Sequence, residues 1–306
     1  MPNRATSHLE RWFFPLVLLA LASYAVAAPR LGLDRALGVS QATADLLTLA
    51  AALAVFWPTI ALLERLLPER REWNRAHRDV KADVLHLFFS GTMAQFVFQA
   101  TLAALMLATG LRLSERFGGP LWPTGAPVTL QLALALAVAE LGHYWFHRLT
   151  HERPWLWRLH ATHHSAKRLY WLNATRFQWL DVFTLIAFQS SPLLLLGAGR
   201  DALLPYSIFV AVYGQLQHMN VRVRAPWLDW IFSTPGLHRW HHSIDPREGN
   251  RNYGAILIVW DQLFGTLFRP AGRAFDAEIG LASMPEFPED YLAQQLAPLN
   301  WERYAR

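Results

Sequence analysis

The sequence predicts an all-α integral membrane protein. The expected form is a helical bundle of about four spanning helices plus a shorter hairpin, with a cytosolic cap that carries clustered histidines. Three observations point there. Apolar residues make up 53% of the 306 and charged ones 17%, with a mean hydropathy of +0.14, whereas soluble domains are about 25% charged. Low-charge runs at Trp12–Ala28, Ala44–Leu63, Val84–Ala108 and Val128–Phe146 are each close to the length that crosses a hydrocarbon core. Fourteen Trp and eighteen Phe supply rings of the kind that collect where a chain meets a lipid interface.

Taken in order, the first run follows Arg4 and Arg11 and contains Ala25-Val-Ala27, a pattern shared with cleaved leaders. Its length and its Trp12-Phe-Phe opening favour a retained helix. The loop Glu64–Asp83 carries six basic residues, against two in Leu111–Pro127. In the topology this implies, 23 of the 28 Lys and Arg fall on one side, and the rule that basic loops stay inside makes that side cytoplasmic. Trp179–Leu196 and Ala202–Gln217 are shorter and are parted by Gly197-Ala-Gly-Arg-Asp201, so they read as a hairpin that leaves the cytoplasmic face and returns to it. That linker also matches a loose dinucleotide pattern, but no βαβ unit surrounds it, and the glycines suit a tight reversal. Three parts are expected: 1–82 as N-terminal helices with a basic loop, 83–270 as the chemical domain, and 271–306 as a polar cytosolic tail.

Several function classes drop out. With no cysteine there is no disulfide, thiolate metal site, iron–sulfur cluster or cysteine nucleophile. A net charge of +5 without basic–aromatic runs gives no sign of nucleic-acid binding. Neither a P-loop nor a Gly-x-Ser-x-Gly elbow occurs, so NTPase and α/β-hydrolase readings have no support.

The chemistry lies in the histidines. Ten of the thirteen fall between 143 and 242: His143, His147 and His151, then His160-Ala-Thr-His163-His164, then His218, then His238-Arg-Trp-His241-His242. On a helix, positions i, i+3 and i+4 share a face, so each HxxHH box presents three imidazoles together. Buried imidazoles without a metal would have to stay neutral with both ring nitrogens satisfied. Nine ligands are too many for one tetrahedral zinc and enough for two ions. Imidazole without thiolate suits iron, zinc, copper or nickel. Glu-x-x-His, the ligand pair that soluble di-iron bundles carry on two helices, occurs only once, at Glu140-Leu-Gly-His143, so that scaffold is not supported.

The run Tyr144-Trp-Phe-His147-Arg-Leu-Thr-His151-Glu, both HxxHH boxes, Gln217-His218-Met-Asn220 and Asn252-Tyr-Gly…Trp260-Asp-Gln-Leu-Phe264-Gly-Thr266 together resemble the fatty acid hydroxylase/sterol desaturase superfamily. The nearest pattern is its bacterial sterol desaturase-type members and the similar alkylglycerol monooxygenases. The resemblance covers about residues 83–270. It implies two iron ions, with zinc a possible substitute, O2 as co-substrate, a lipid substrate, and electrons from an external ferredoxin, cytochrome or reductase. The implied reaction is hydroxylation or desaturation of a fatty acyl chain, sterol or alkylglycerol.

Carried over position by position, the resemblance makes His147, His151, His160, His163, His164, His218, His238, His241 and His242 the ligands. His143 is then a supporting residue one turn before His147. Glu140, Asn173, Asp181, Asn220 and Asp229 are candidates to orient the imidazoles. Glu140 stands where the family commonly has Asp, and the second His that 2-hydroxylases carry ahead of the last box is Arg222 here. Asp261 is expected to cap or turn the chain. Two other classes stay open: a zinc-dependent membrane hydrolase acting on a lipid, and a metal-binding membrane protein without oxygenase activity.

Overall fold

A computed structural model describes residues 4–305. Its long helices are α1 (Arg4–Ala27), α2 (Gln41–Leu66), α3 (Val80–Phe117), α4 (Val128–Glu152), α5 (Pro154–His164), α6 (Trp179–Leu195) and α7 (Arg200–His218). Two short ones follow, α8 (Pro235–His241) and α9 (Tyr291–Leu296). The described residues form no strands, only three isolated bridges. The chain is the all-α helical membrane protein its composition implies.

Three helices, His8–Arg30, Gln41–Leu66 and Val80–Phe117, are long and apolar enough to cross a membrane. They correspond to the first three expected spans. The fourth run lies in α4, where Gln131, Glu140 and His143 interrupt the apolar sequence and lower its hydropathy. Helix α4 is central, with Leu132, Ala135, Leu136, Ala139 and Tyr144 buried along one stripe of helical period. Helix α7 is its counterpart and packs against α1, α2 and α4. The outer faces of the first three helices keep large side chains uncovered, among them Leu19 at 63%, Val55 at 60% and Phe96 at 71%. Such a belt is stable only against lipid or another apolar surface. Phe13, Phe14, Leu18 and Leu21 of α1 lie within the core, so this helix is a structural part of the bundle.

Helices α4 and α6 lie unusually close. A Cβ at Gly142 would stand 2.1 Å from the Phe188 carbonyl oxygen, so only glycine permits the contact. The α6–α7 reversal passes through Gly197 at φ +79°, the left-handed region that glycine enters without strain.

A polar layer ties the helix ends to the histidine segment. Glu64 accepts hydrogen bonds from the backbone N–H of Trp171 (2.7 Å) and Asn220 (2.8 Å). Arg168 grips Asp79 through two nitrogens at 2.6 and 2.9 Å, and Arg176 meets Asp83 at 2.6 Å. These charges are buried and paired, the condition under which burial is tolerated. The C-terminal segment is built into this layer. Trp301 and Tyr304 pack with Met284 and Phe287 against Ala161 of α5, and Gln294 bonds His86 at 2.7 Å.

Candidate metal centre

Four local devices aim the imidazoles. Helix α4 continues past its apolar part and places His147 and His151 one turn apart. Pro154 opens α5 at the position where proline's missing N–H costs nothing, and the box follows in its last turns. Thr234 caps α8, its hydroxyl accepting from Leu237 N–H and donating to Asp229 at 2.6 Å. Asp261 accepts from the N–H groups of Tyr253 and Gly254, both at 2.8 Å, and from the Thr266 hydroxyl at 2.6 Å. Its grip on the 253–254 turn directs the Tyr253 carbonyl toward α4. Asp261 is therefore the organiser of a turn, in line with the structural role expected for it.

All nine histidines singled out in the sequence come together, and they do so as two groups. His147, His151, His160, His164 and His241 form one, and His163, His218, His238 and His242 the other, with the candidate ligand atoms of each within 4.8 Å of one another. Each HxxHH box divides between them. His160 and His164 go to the first group while His163 goes to the second; His238 and His242 go to the second while His241 goes to the first. The groups abut, with ring centres 4.4 Å apart for His164 and His242 and 5.3 Å for His160 and His163.

Hydrogen bonding fixes which nitrogen faces inward. Nδ1 donates to the Tyr253 carbonyl from His147 (2.7 Å), to the Arg251 carbonyl from His241 (2.7 Å) and to Asp181 Oδ2 from His160 (2.8 Å). It donates to Asn173 Oδ1 from His218 and to Asn250 Oδ1 from His151, both at 3.0 Å. In these five rings the proton sits on Nδ1, so Nε2 holds a lone pair. Yet Nε2 of His147 and Nε2 of His160 are 3.1 Å apart, and Nε2 of His151, His164 and His241 have no partner. Converging lone pairs repel unless a cation lies among them, and this donor set fits one in each group. Burial first, and neighbouring imidazoles second, hold His160, His164, His238 and His242 well below their ordinary pKa. The rings are thus neutral at pH 7, the form that binds metal.

The remaining candidates behave differently. Asn173 touches His218, and Asp181 touches His160. Glu140 accepts from the N–H of Ile256 (2.7 Å) and Leu257 (3.2 Å), so it contacts the loop that carries Tyr253 and no imidazole. Asn220 bonds Arg70 and Asn74, again without an imidazole partner. Asp229 holds Thr234 and Arg269. His143 stands outside both groups, its ring 5.2 Å from that of His147. The two carbonyls and Asn250 were not singled out, since a backbone oxygen or an isolated amide carries no signal in sequence.

Two cavities with no lining residue in common reach the histidines. One of about 250 Å³ lies between α4, α6 and α7, has mainly apolar walls and touches His147, His160, His163, His218 and His238. The other, about 330 Å³, is more polar and touches His151, His164 and His241 beside Glu152, Ser243 and Asn250.

The fatty acid hydroxylase family matches residues 132–266. The ornithine lipid hydroxylase OlsE of Rhizobium tropici is 39% identical over 242 residues, which is 79% of this chain and 72% of that protein. An alkylglycerol monooxygenase of Danio rerio is 36% identical over 140 residues, 44% of this chain and 29% of that protein, so the chain spans under a third of its length. The Delta(7)-sterol 5(6)-desaturase erg3B of Aspergillus fumigatus is 27% identical over 192 residues, 60% of this chain and 52% of that protein. No solved structure matches significantly. With its histidine segments inside the matched region and a lipid hydroxylase aligned over most of both chains, the protein belongs to the fatty acid hydroxylase/sterol desaturase superfamily, whose related members are oxidoreductases acting on lipids.

Proposed function

We propose that the chain is a membrane-bound, non-haem di-iron lipid hydroxylase with its centre on the cytoplasmic side. The observation that carries this reading is the division of nine imidazoles into adjoining sets of five and four, both reached from one apolar cavity. Two irons held there would supply O2 activation, so that a C–H bond, O2, two electrons and two protons become C–OH and water. The ligands would be His147, His151, His160, His164 and His241 for one ion and His163, His218, His238 and His242 for the other.

The protein's own part is orientation and exclusion. Asp181, Asn173, Asn250 and the two carbonyls keep Nε2 turned inward, and a ligand so held binds metal more tightly. Phe177 lies flat against His163, with ring centres 4.0 Å apart, and helps keep the apolar cavity dry. That cavity takes the lipid from the membrane side, and an ornithine lipid, named for a relative, is the first substrate to try. The polar cavity faces the cytoplasm, where an external ferredoxin, cytochrome or reductase would deliver electrons.

The test is elemental analysis of gently purified protein, followed by a lipid screen under O2. About two irons per chain and products heavier by one oxygen are expected. Iron-free protein that converts lipid without O2 would overturn the proposal in favour of a zinc hydrolase.

A further inference from the structure

The apolar cavity contains polar groups that the metal centre does not use. Gln189 of α6 donates from Nε2 to His143 Nδ1 at 2.9 Å, and both residues line the cavity. With Nδ1 accepting, the ring's proton is on Nε2, and His143 presents an N–H donor; Gln189 keeps its second N–H and its carbonyl oxygen. The other amide on the wall is committed, since Gln217 donates to Ser233 Oγ at 2.8 Å and to the Gly254 carbonyl at 3.1 Å. The pair is also rigidly placed, because Gly142 brings α4 against Phe188, the residue before Gln189. A donor pair held on an apolar wall is the usual means by which a pocket orients a ligand.

We propose that His143 and Gln189 form a subsite for the carbonyl oxygen of an acyl amide or ester. It would anchor the polar junction of the lipid one helical turn from the histidine centre. Since the His143 and His147 rings are 5.2 Å apart, the oxidised carbon then lies within a few bonds of that carbonyl and not far out along the chain. The inference rests on the hydroxylase reading for its second half. The binding half stands without turnover.

The test uses full-length protein in nanodiscs under anaerobic conditions, with metal content measured in parallel. N-methyldecanamide and an alkane of matched length are titrated as probes. Wild type should prefer the amide by about tenfold, the scale of one well-made hydrogen bond. Gln189→Leu and His143→Leu should erase the preference and leave alkane affinity intact, whereas His143→Gln, which keeps a donor, should retain part of it. Gly214 lines the cavity and a Cβ there meets nothing within 4 Å, so Gly214→Leu should fill the cavity and exclude both probes. Unchanged amide preference in both leucine variants would overturn the proposal. So would unchanged binding in Gly214→Leu, or metal loss from His143→Leu, which would make His143 a ligand. Failure to find any O2-dependent product would sink the hydroxylase reading and leave the binding comparison standing. With turnover, fragmentation of the product should place oxygen near the carbonyl in wild type and at scattered positions in the leucine variants.

Discussion

Asp181→Asn is the perturbation that tests the two-group arrangement most sharply. The Asp181 side chain is fully buried, its Oδ2 is 2.8 Å from His160 Nδ1, and its Oδ1 has no partner. His160 belongs to the five-histidine group. Replacing the carboxylate by an isosteric amide removes the anionic acceptor that strengthens this ligand, an effect worth about 10- to 100-fold in metal affinity, or about 1.4 to 2.7 kcal/mol. The four-histidine group has its own supports and should be untouched. In metal-free protein the penalty disappears, because burial alone pushes the Asp181 carboxyl well above its ordinary range and a neutral amide is no costlier there; the Tm should stay level or rise. The assay is chelator competition with elemental analysis, run beside thermal unfolding with and without metal. Loss of one metal in two, with a lower Tm only in the loaded protein, is expected. Asn173→Leu, which strips His218 of its Nδ1 acceptor, should weaken the other ion instead. Parallel loss of both metals in either variant would refute the independence of the two groups.

Further outcomes follow from the same contacts. Gly142→Ala should cost about 1 to 3 kcal/mol by forcing α4 and α6 apart, seen as a lower Tm, whereas Gly214→Ala, with open space around it, should be nearly neutral. Asp261→Ala should cost about 1.5 to 3 kcal/mol for each charged hydrogen bond it fails to replace and should also lower metal affinity at His147, a coupling that Thr266→Ala would show more weakly. On acidification, burial holds His151 and His218 down to about 3 from an ordinary 6.5, so the unfolded chain takes up protons that the native rings refuse. Stability of the metal-free protein should therefore be complete above about pH 6.5 and fall steadily below it, approaching 1.4 kcal/mol per pH unit for each such ring. A flat Tm between pH 7 and 5 would contradict this.

Much of the protein is legible in its sequence because the signals are local. Apolar length picks out the three helices long enough to span and a fourth run that becomes α4. Glycine marks the α6–α7 reversal, and the intervals between histidines group eight of the nine side chains that meet, while the family resemblance adds His218 and sets His143 aside. The C-terminal segment is less legible: Trp301 and Tyr304 have no periodic pattern to reveal that they cover α5. The same holds for the carbonyls of Tyr253 and Arg251, whose direction depends on loop closure by Asp261 and not on residue type.

The division of the boxes was decided by tertiary structure alone. An α-helix turns about 100° per residue, so His160 and His164 fall about 40° apart and His163 turns away on their other side. Sequence shows that three imidazoles share one broad face. It takes α4, α7 and α8 standing on either side of α5 to send two of them to one group and the third to the other. Side-chain identity and spacing are written in the chain; the assignment of each imidazole to its group depends on how helices far apart in sequence pack together.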